Sequence, residues 1–236
     1  MAPYLQLVSG WSPIEVGTIS IVTGVPTFAL ALGIPKLLPK ANPRHVIQFG
    51  YITMAAALIV MAASVTSDGS NAFAVYLGAF LAGVGAGAVS AHASNVVALA
   101  LPERDASQSG GIQSTMRNVG QAIGVALLGA ILLLGITNSV RTHALHDPSI
   151  SSQVSSQIAT LTIDLGSNEV FEEQIADIPM TDEERSQLVS IEENARYNSV
   201  RLAYVAGAAI VLLGLATTPA IKITSSEDRK TKENAK

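Results

Sequence analysis

Ser109 to Gly135 reads SGGIQSTMRNVGQAIGVALLGAILLLG, a run in which a single residue, Arg117, is charged. Roughly 20 mostly apolar residues suffice for a helix to cross a bilayer, and this run exceeds that. Gly120 and Gly124, then Ala126 and Ala130, recur every four residues. Small residues at that spacing let two membrane helices approach closely. An arginine inside such a span is expensive in lipid, so Arg117 is expected to face protein or water.

The composition agrees with a membrane setting. Of 236 residues, 49% are hydrophobic and 14% charged, against about 25% charged in soluble domains. Between Val46 and Ala100 the one ionised side chain is Asp68. The chain has no cysteine, which excludes disulfides and thiolate metal sites. MAPYLQLVSGW lacks the basic start and long apolar core of a cleavable signal peptide.

The expected fold class is an all-α integral membrane protein with five transmembrane helices. The first span covers 14–38 and contains Pro26 and Pro35, each of which removes a helix hydrogen bond and bends the chain. Glu15 sits at its outer edge as a helix-start carboxylate. The second span, 46–66, is alanine-rich and ends in the polar turn SDGSN. The third, 73–101, carries Ala79, Gly83 and Gly87 on one face, and His92 and Asn95 three residues apart. PERDASQ leads into the fourth span, 110–136. Residues 137–198 then form a long polar segment with eleven acidic residues against three arginines, a net −8. It is expected to be an acidic extracytoplasmic loop, with a capping box at Thr181-Asp-Glu-Glu opening a helix toward Tyr197. The last span is 199–221, and 222–236 is a basic tail.

These connections set an orientation. Lys36, Lys40 and Arg44 share one short loop, and alternation of the spans puts the basic tail on the same side. By the positive-inside rule that side is cytoplasmic. Met1 then falls outside with no span before it, so the chain is expected to be a fragment.

YLQLVSGWSPIEVGT, LAGVGAGAVSAHASNVVALALPERDASQSGG and STMRNVGQAIGVALLGAIL together resemble the C-terminal end of a major facilitator superfamily transporter. They are most similar to its fourteen-helix drug:proton antiporter branch (EmrB/QacA type). Val16 stands where that branch has alanine, and Gln121 where it has a second glycine. The resemblance implies a part of a C-terminal helical bundle and alternating access around a site near the bilayer midplane. It also implies export of amphiphilic drugs or toxic compounds across the plasma membrane, driven by the proton gradient with no other cofactor. The N-terminal half of the transporter would be the missing partner.

The candidate functional residues are Arg117, His92, Asn95, Asn118 and Gln113. Arg117 is read either as a gating or cavity charge or as an arginine reaching back to the inner surface. His92 is read either as a group titrating near neutral pH or as a packing histidine bonded to Asn95 or a carbonyl. Gln113, Asn118 and Gln121 suit a cavity lining and suit interhelical hydrogen bonds equally. Gly83, Gly87, Gly120 and Gly124 are expected at close helix contacts. Neither a catalytic arrangement nor a metal-ligand cluster is visible, and the short basic tail does not suggest nucleic-acid binding. The partners expected are the lipid bilayer and a small-molecule substrate. Two alternatives to a transporter part are an inactive truncated chain and a membrane-anchored module that binds a partner through its acidic segment.

Overall fold

In hydrocarbon there is no water to satisfy backbone N–H and C=O groups, so long apolar runs close their hydrogen bonds internally as helices. The computed structural model describes residues 5–6, 11–66, 69–100, 108–161, 163 and 166–220. In chain order its elements are α1 (Pro13–Leu37), α2 (Pro43–Ser64), the strands β1 (Val65–Thr66) and β2 (Gly69–Ser70), α3 (Ala72–Ala100) and α4 (Ser109–His146). Two short helices follow, α5 (Ser152–Ile158) and α6 (Asn168–Gln174), then the long α7 (Asp182–Thr217) and a 3-10 turn at Thr218–Ala220. Helices α1, α2, α3, α4 and α7 are long and apolar enough to cross a membrane. The loop 102–107 and the basic tail 222–236 lie outside the described residues, as does the side chain of Asn95.

Helix α3 is the centre of the bundle, because glycines on its two faces admit two neighbours. A β-carbon on Gly83 would lie 2.2 Å from the Thr23 carbonyl oxygen of α1, and one on Gly87 would lie 2.7 Å from that of Thr27. The Thr27 hydroxyl donates to the Gly83 carbonyl at 3.0 Å. The other face meets α2: a β-carbon on Gly85 would lie 2.7 Å from the Gly50 carbonyl oxygen, and one on Gly78 would lie 2.6 Å from Met61. Helices α1 and α3 therefore run parallel, and α2 runs antiparallel between them in sequence. Helix α2 in turn packs on α7. At the end near the Lys36–Arg44 loop, Gln48 donates to the Thr218 hydroxyl at 2.9 Å.

At the opposite end an aromatic layer marks where the bundle leaves the bilayer, as amphipathic rings do at membrane interfaces. Trp11 and Tyr76 sit with ring centroids 5.8 Å apart, and the Tyr76 and Thr18 hydroxyls are 2.7 Å apart. Tyr197 and Tyr204 pack into the same cluster, around buried Val65, Val75 and Val200. Glu15 closes the start of α1 in a capping box with Ser12. Elsewhere the bundle's exterior is apolar, with Phe28 and Leu213 each 69% exposed. Large contiguous apolar surface of this kind is suited to lipid.

Two expectations are corrected. The segment 137–198 is not a loop: α4 runs on to His146, α7 begins at Asp182 as one uninterrupted helix into the last span, and α5 and α6 lie between. Ile136, Val140, Ile158, Ile163, Phe171, Ile175 and Leu188 are buried together in a core of its own. Ile136 and Val140 belong to α4 and Leu188 to α7, whereas Ile158, Ile163, Phe171 and Ile175 lie on or beside short pieces that no hydropathy window long enough to register a span contains. The second correction concerns Gly120 and Gly124, which have nothing within 4 Å of where a β-carbon would stand. Four-residue spacing of small residues permits a close approach without supplying the partner. The close contact of α4 lies further out, at Gly135, where a β-carbon would come 2.7 Å from the Ser199 hydroxyl oxygen.

The two glycine faces are separable by experiment. Gly83→Ala forces a backbone shift between α1 and α3, and overpacking of this kind costs about 1–3 kcal/mol. A clear fall in the melting temperature of the chain in detergent is expected for Gly83→Ala, and no fall for Gly124→Ala.

Candidate functional site

Helix α4 has two unlike faces. Ile112, Met116, Val119, Ile123 and Leu127 follow one another at helical spacing and are all exposed. Away from them lies a second row of Gly110, Ser114, Arg117, Gln121 and Gly124, also repeating every three or four residues. Further along the helix this second row becomes apolar, with Leu128, Leu132 and Gly135, and there it packs on α7. Toward the Lys36–Arg44 end the row is polar and open.

Where this row passes α3 there is a cavity of about 240 Å³, lined by Ser90 of α3 and by Gly110, Gln113, Ser114 and Arg117 of α4. Arg117 stands eight residues into α4, which at 1.5 Å per residue is about 12 Å along the axis. Side chains on a helix slant toward its N-terminus, so the guanidinium lies back over the first turns, in agreement with Gly110 and Gln113 sharing its cavity. It makes no hydrogen bond or ion pair with any described residue. Of the five candidates from the sequence, the cavity thus brings together Arg117 and Gln113. Asn118 is exposed and does not line it.

His92 belongs elsewhere. It is 7% exposed and lies 7 and 14 residues from Gly85 and Gly78, on the α3 face that packs on α2. Among the described residues nothing donates to or accepts from its Nε2. Asn95 is on the same helix, but its side chain is outside the described set.

The cap formed by 137–198 holds the second concentration of polar side chains. A groove of about 560 Å³ between the extension of α4 and the start of α7 is lined by residues that include Thr142, His143, His146, Asp147, Gln187 and Asn194. His143 and His146 each place Nδ1 at 2.7 Å from the carbonyl oxygen four residues back. The sequence reading missed them because α4 was ended near Ile136. Extending the helix by three turns would have set the two imidazoles on one face. Among the described residues no group of three or more His, Cys, Asp or Glu is arranged to hold a metal.

Carboxylates tie the cap together. Glu192 and Arg196, one turn apart on α7, are 1% and 2% exposed and form a two-point ion pair that Asn168 of α6 joins at 3.2 Å. Burial pushes the Glu192 carboxyl above the usual range, and the hydrogen bond and charge of Arg196 draw it back. Hydrogen bonds from Ser149, and then from Gln187, hold Asp147 below it. Glu184 is the joint between helices: one oxygen accepts from the Thr181 N–H at 2.8 Å, completing the α7 capping box, and the other accepts from the Ser151 N–H at 2.9 Å, at the start of α5. These backbone donors, Thr181 first, pull its carboxyl down to about 2.

Among the described residues, five helices long and apolar enough to cross a membrane, with exposed apolar faces and a central glycine-packed helix, define a multi-pass membrane protein. The model of the Major Facilitator Superfamily matches residues 1–141, which take in α1 to α3 and the membrane part of α4. The chain belongs to that superfamily of transporters. No curated protein and no solved structure matches it.

Because the Glu184 carboxylate is favoured in the fold, its contribution to stability is complete above the unfolded value of 4.5 and is lost as pH falls toward about 2. Thermal melts of the cap followed by circular dichroism are expected to lose stability across that window. Glu184→Gln is expected to be less stable at pH 7 and flatter below pH 4.5.

Proposed function

We propose that this chain supplies part of a secondary active transporter, with the polar row of α4 lining the substrate path. The observation that carries this is the open stretch from Gly110 to Gly124. At membrane depth an exposed row of glutamine, serine and arginine does not belong against lipid, where polar groups cost several kcal/mol each when unsatisfied. It belongs against water or further helices, and a substrate path offers both. The contact of α4 with α7 on one side of the bilayer and its openness on the other suit a path entered from the Lys36–Arg44 side. Alternating access requires a site open to one side at a time.

The finer reading rests on the resemblance to the fourteen-helix drug:proton antiporter branch. On it the chain works with an N-terminal half in the plasma membrane to export amphiphilic compounds, driven by proton entry and without a bound cofactor. Glu15 is engaged in capping α1 and, among the described residues, the membrane-spanning stretches carry no other carboxylate. The proton-carrying acid is therefore assigned to the partner half.

The natural absence of cysteine makes the reading directly testable. Single cysteines at Ser114, Asn118 and Gln121 are expected to react with a water-soluble maleimide in membrane vesicles of cytoplasmic-side-out orientation. Cysteines at Ile123 and Leu127 are expected not to react. Equal protection of all five positions would place the row against lipid and overturn the reading.

A further inference from the structure

The cavity on α4 carries a charge that its described walls do not balance. Among the described residues Arg117 is the one ionised group lining it, and none of them gives that guanidinium a hydrogen bond or a counter-ion. Among the described residues the other polar lining groups are the Ser90 and Ser114 hydroxyls, which can donate to an oxygen, and the Gln113 amide, which already has a partner. A guanidinium among neutral donors is the chemistry that receives phosphate, sulfonate or carboxylate in a two-point contact. It repels a cation of any size.

The cavity lies within the first turns of α4, and the apolar row of Ile112, Met116 and Val119 faces outward on the other side of that helix. We propose that this cavity is a receptor site for the oxyanion group of an organic ligand. This rests on the reading of α4 as path lining, and it sets the charge of what the path accepts. The same chemistry has two sources, the phosphodiester of a bilayer lipid and the acidic group of a transported compound.

The experiment uses the full chain in lipid nanodiscs and two probes of matched ring and opposite charge, 1-naphthyl phosphate and 1-naphthylmethylammonium. Binding is read by equilibrium dialysis against empty discs. In phosphatidylcholine discs the phosphate is expected to bind saturably and the ammonium not at all. Arg117→Gln is expected to weaken phosphate binding at least tenfold, and Arg117→Lys several-fold. Ser90→Leu, which fills the cavity and keeps the charge, is expected to match the glutamine variant, so a defect of folding in one variant does not decide the matter. Helical content by circular dichroism checks each variant. Replacing a third of the lipid with phosphatidylglycerol separates the sources. A several-fold loss of probe binding identifies a lipid head group as the occupant, and unchanged binding identifies a free organic anion. Ammonium binding as tight as that of the phosphate, phosphate binding indifferent to Arg117→Gln, or no binding of either probe would overturn the proposal. The maleimide pattern on α4 is independent of all three outcomes. A reactive Ser114, Asn118 and Gln121 with a cation-preferring cavity would leave the path standing and remove only its selectivity for anions.

Discussion

The carbonyl oxygen of Thr23 occupies the space in which any β-carbon at position 83 would stand. That contact, with its counterpart between Gly50 and Gly85, lets three backbones lie closer than side chains would allow. Between helices in lipid there is little hydrophobic driving force, and association depends on such packing together with hydrogen bonds across the interface. The bond from Thr27 to the Gly83 carbonyl supplies the second term at the point where the first is strongest. The rest follows by attachment. Helix α2 holds α7, α7 holds α4, and together α4 and α7 carry the cap.

The cap shows how an acidic segment becomes compact. A net charge of −8 would keep the chain extended if its carboxylates merely repelled one another. Instead several are used as acceptors. Glu184 satisfies N–H groups at the starts of two helices at once, and Glu192 is buried with Arg196. Removing one member of a buried pair typically costs about 3–5 kcal/mol, because the other is left charged and dry. Arg196 therefore specifies how α6 seats on α7, through Asn168, as well as contributing charge balance. The apolar core of Phe171, Ile175 and Leu188 provides the burial that makes these polar contacts worth ordering.

The sequence made the membrane part legible and the cap obscure, for one physical reason. A spanning helix must be apolar for some 20 residues whatever its neighbours are, so α1 to α3 could be placed to within about three residues from hydropathy alone. Gly83 and Gly87 could be read from their spacing in the same way, although Gly85 and Gly78, on the other face, were not singled out. Residues 152–158 and 168–174 form helices of seven residues, too short to be stable in isolation and formed only on a surface built by α4 and α7. Such helices leave no periodic signal strong enough to read. Thr181 and Glu184 were legible because a capping box is local. The pairing of Glu184 with Ser151, 33 residues away, was not.

Arg117 shows the limit of reading a site from spacing. Its cost in lipid was evident from the sequence, and so was the need for compensation. Which face of α4 would bear it was not, because the row that is polar at Arg117 is apolar at Leu128 and continues into the contact with α7. One stripe of the helix serves two purposes along its length. In its outer part it holds α4 to the bundle through Gly135 and Ser199, and in its inner part it leaves glycines and polar groups uncovered. The stripe cannot be apolar throughout, since that would seal the opening against α7 or lipid. Nor can it be polar throughout, since α4 would then have no hold on the bundle. The change in character between Gly124 and Leu128 fixes where attachment ends and the open polar row begins.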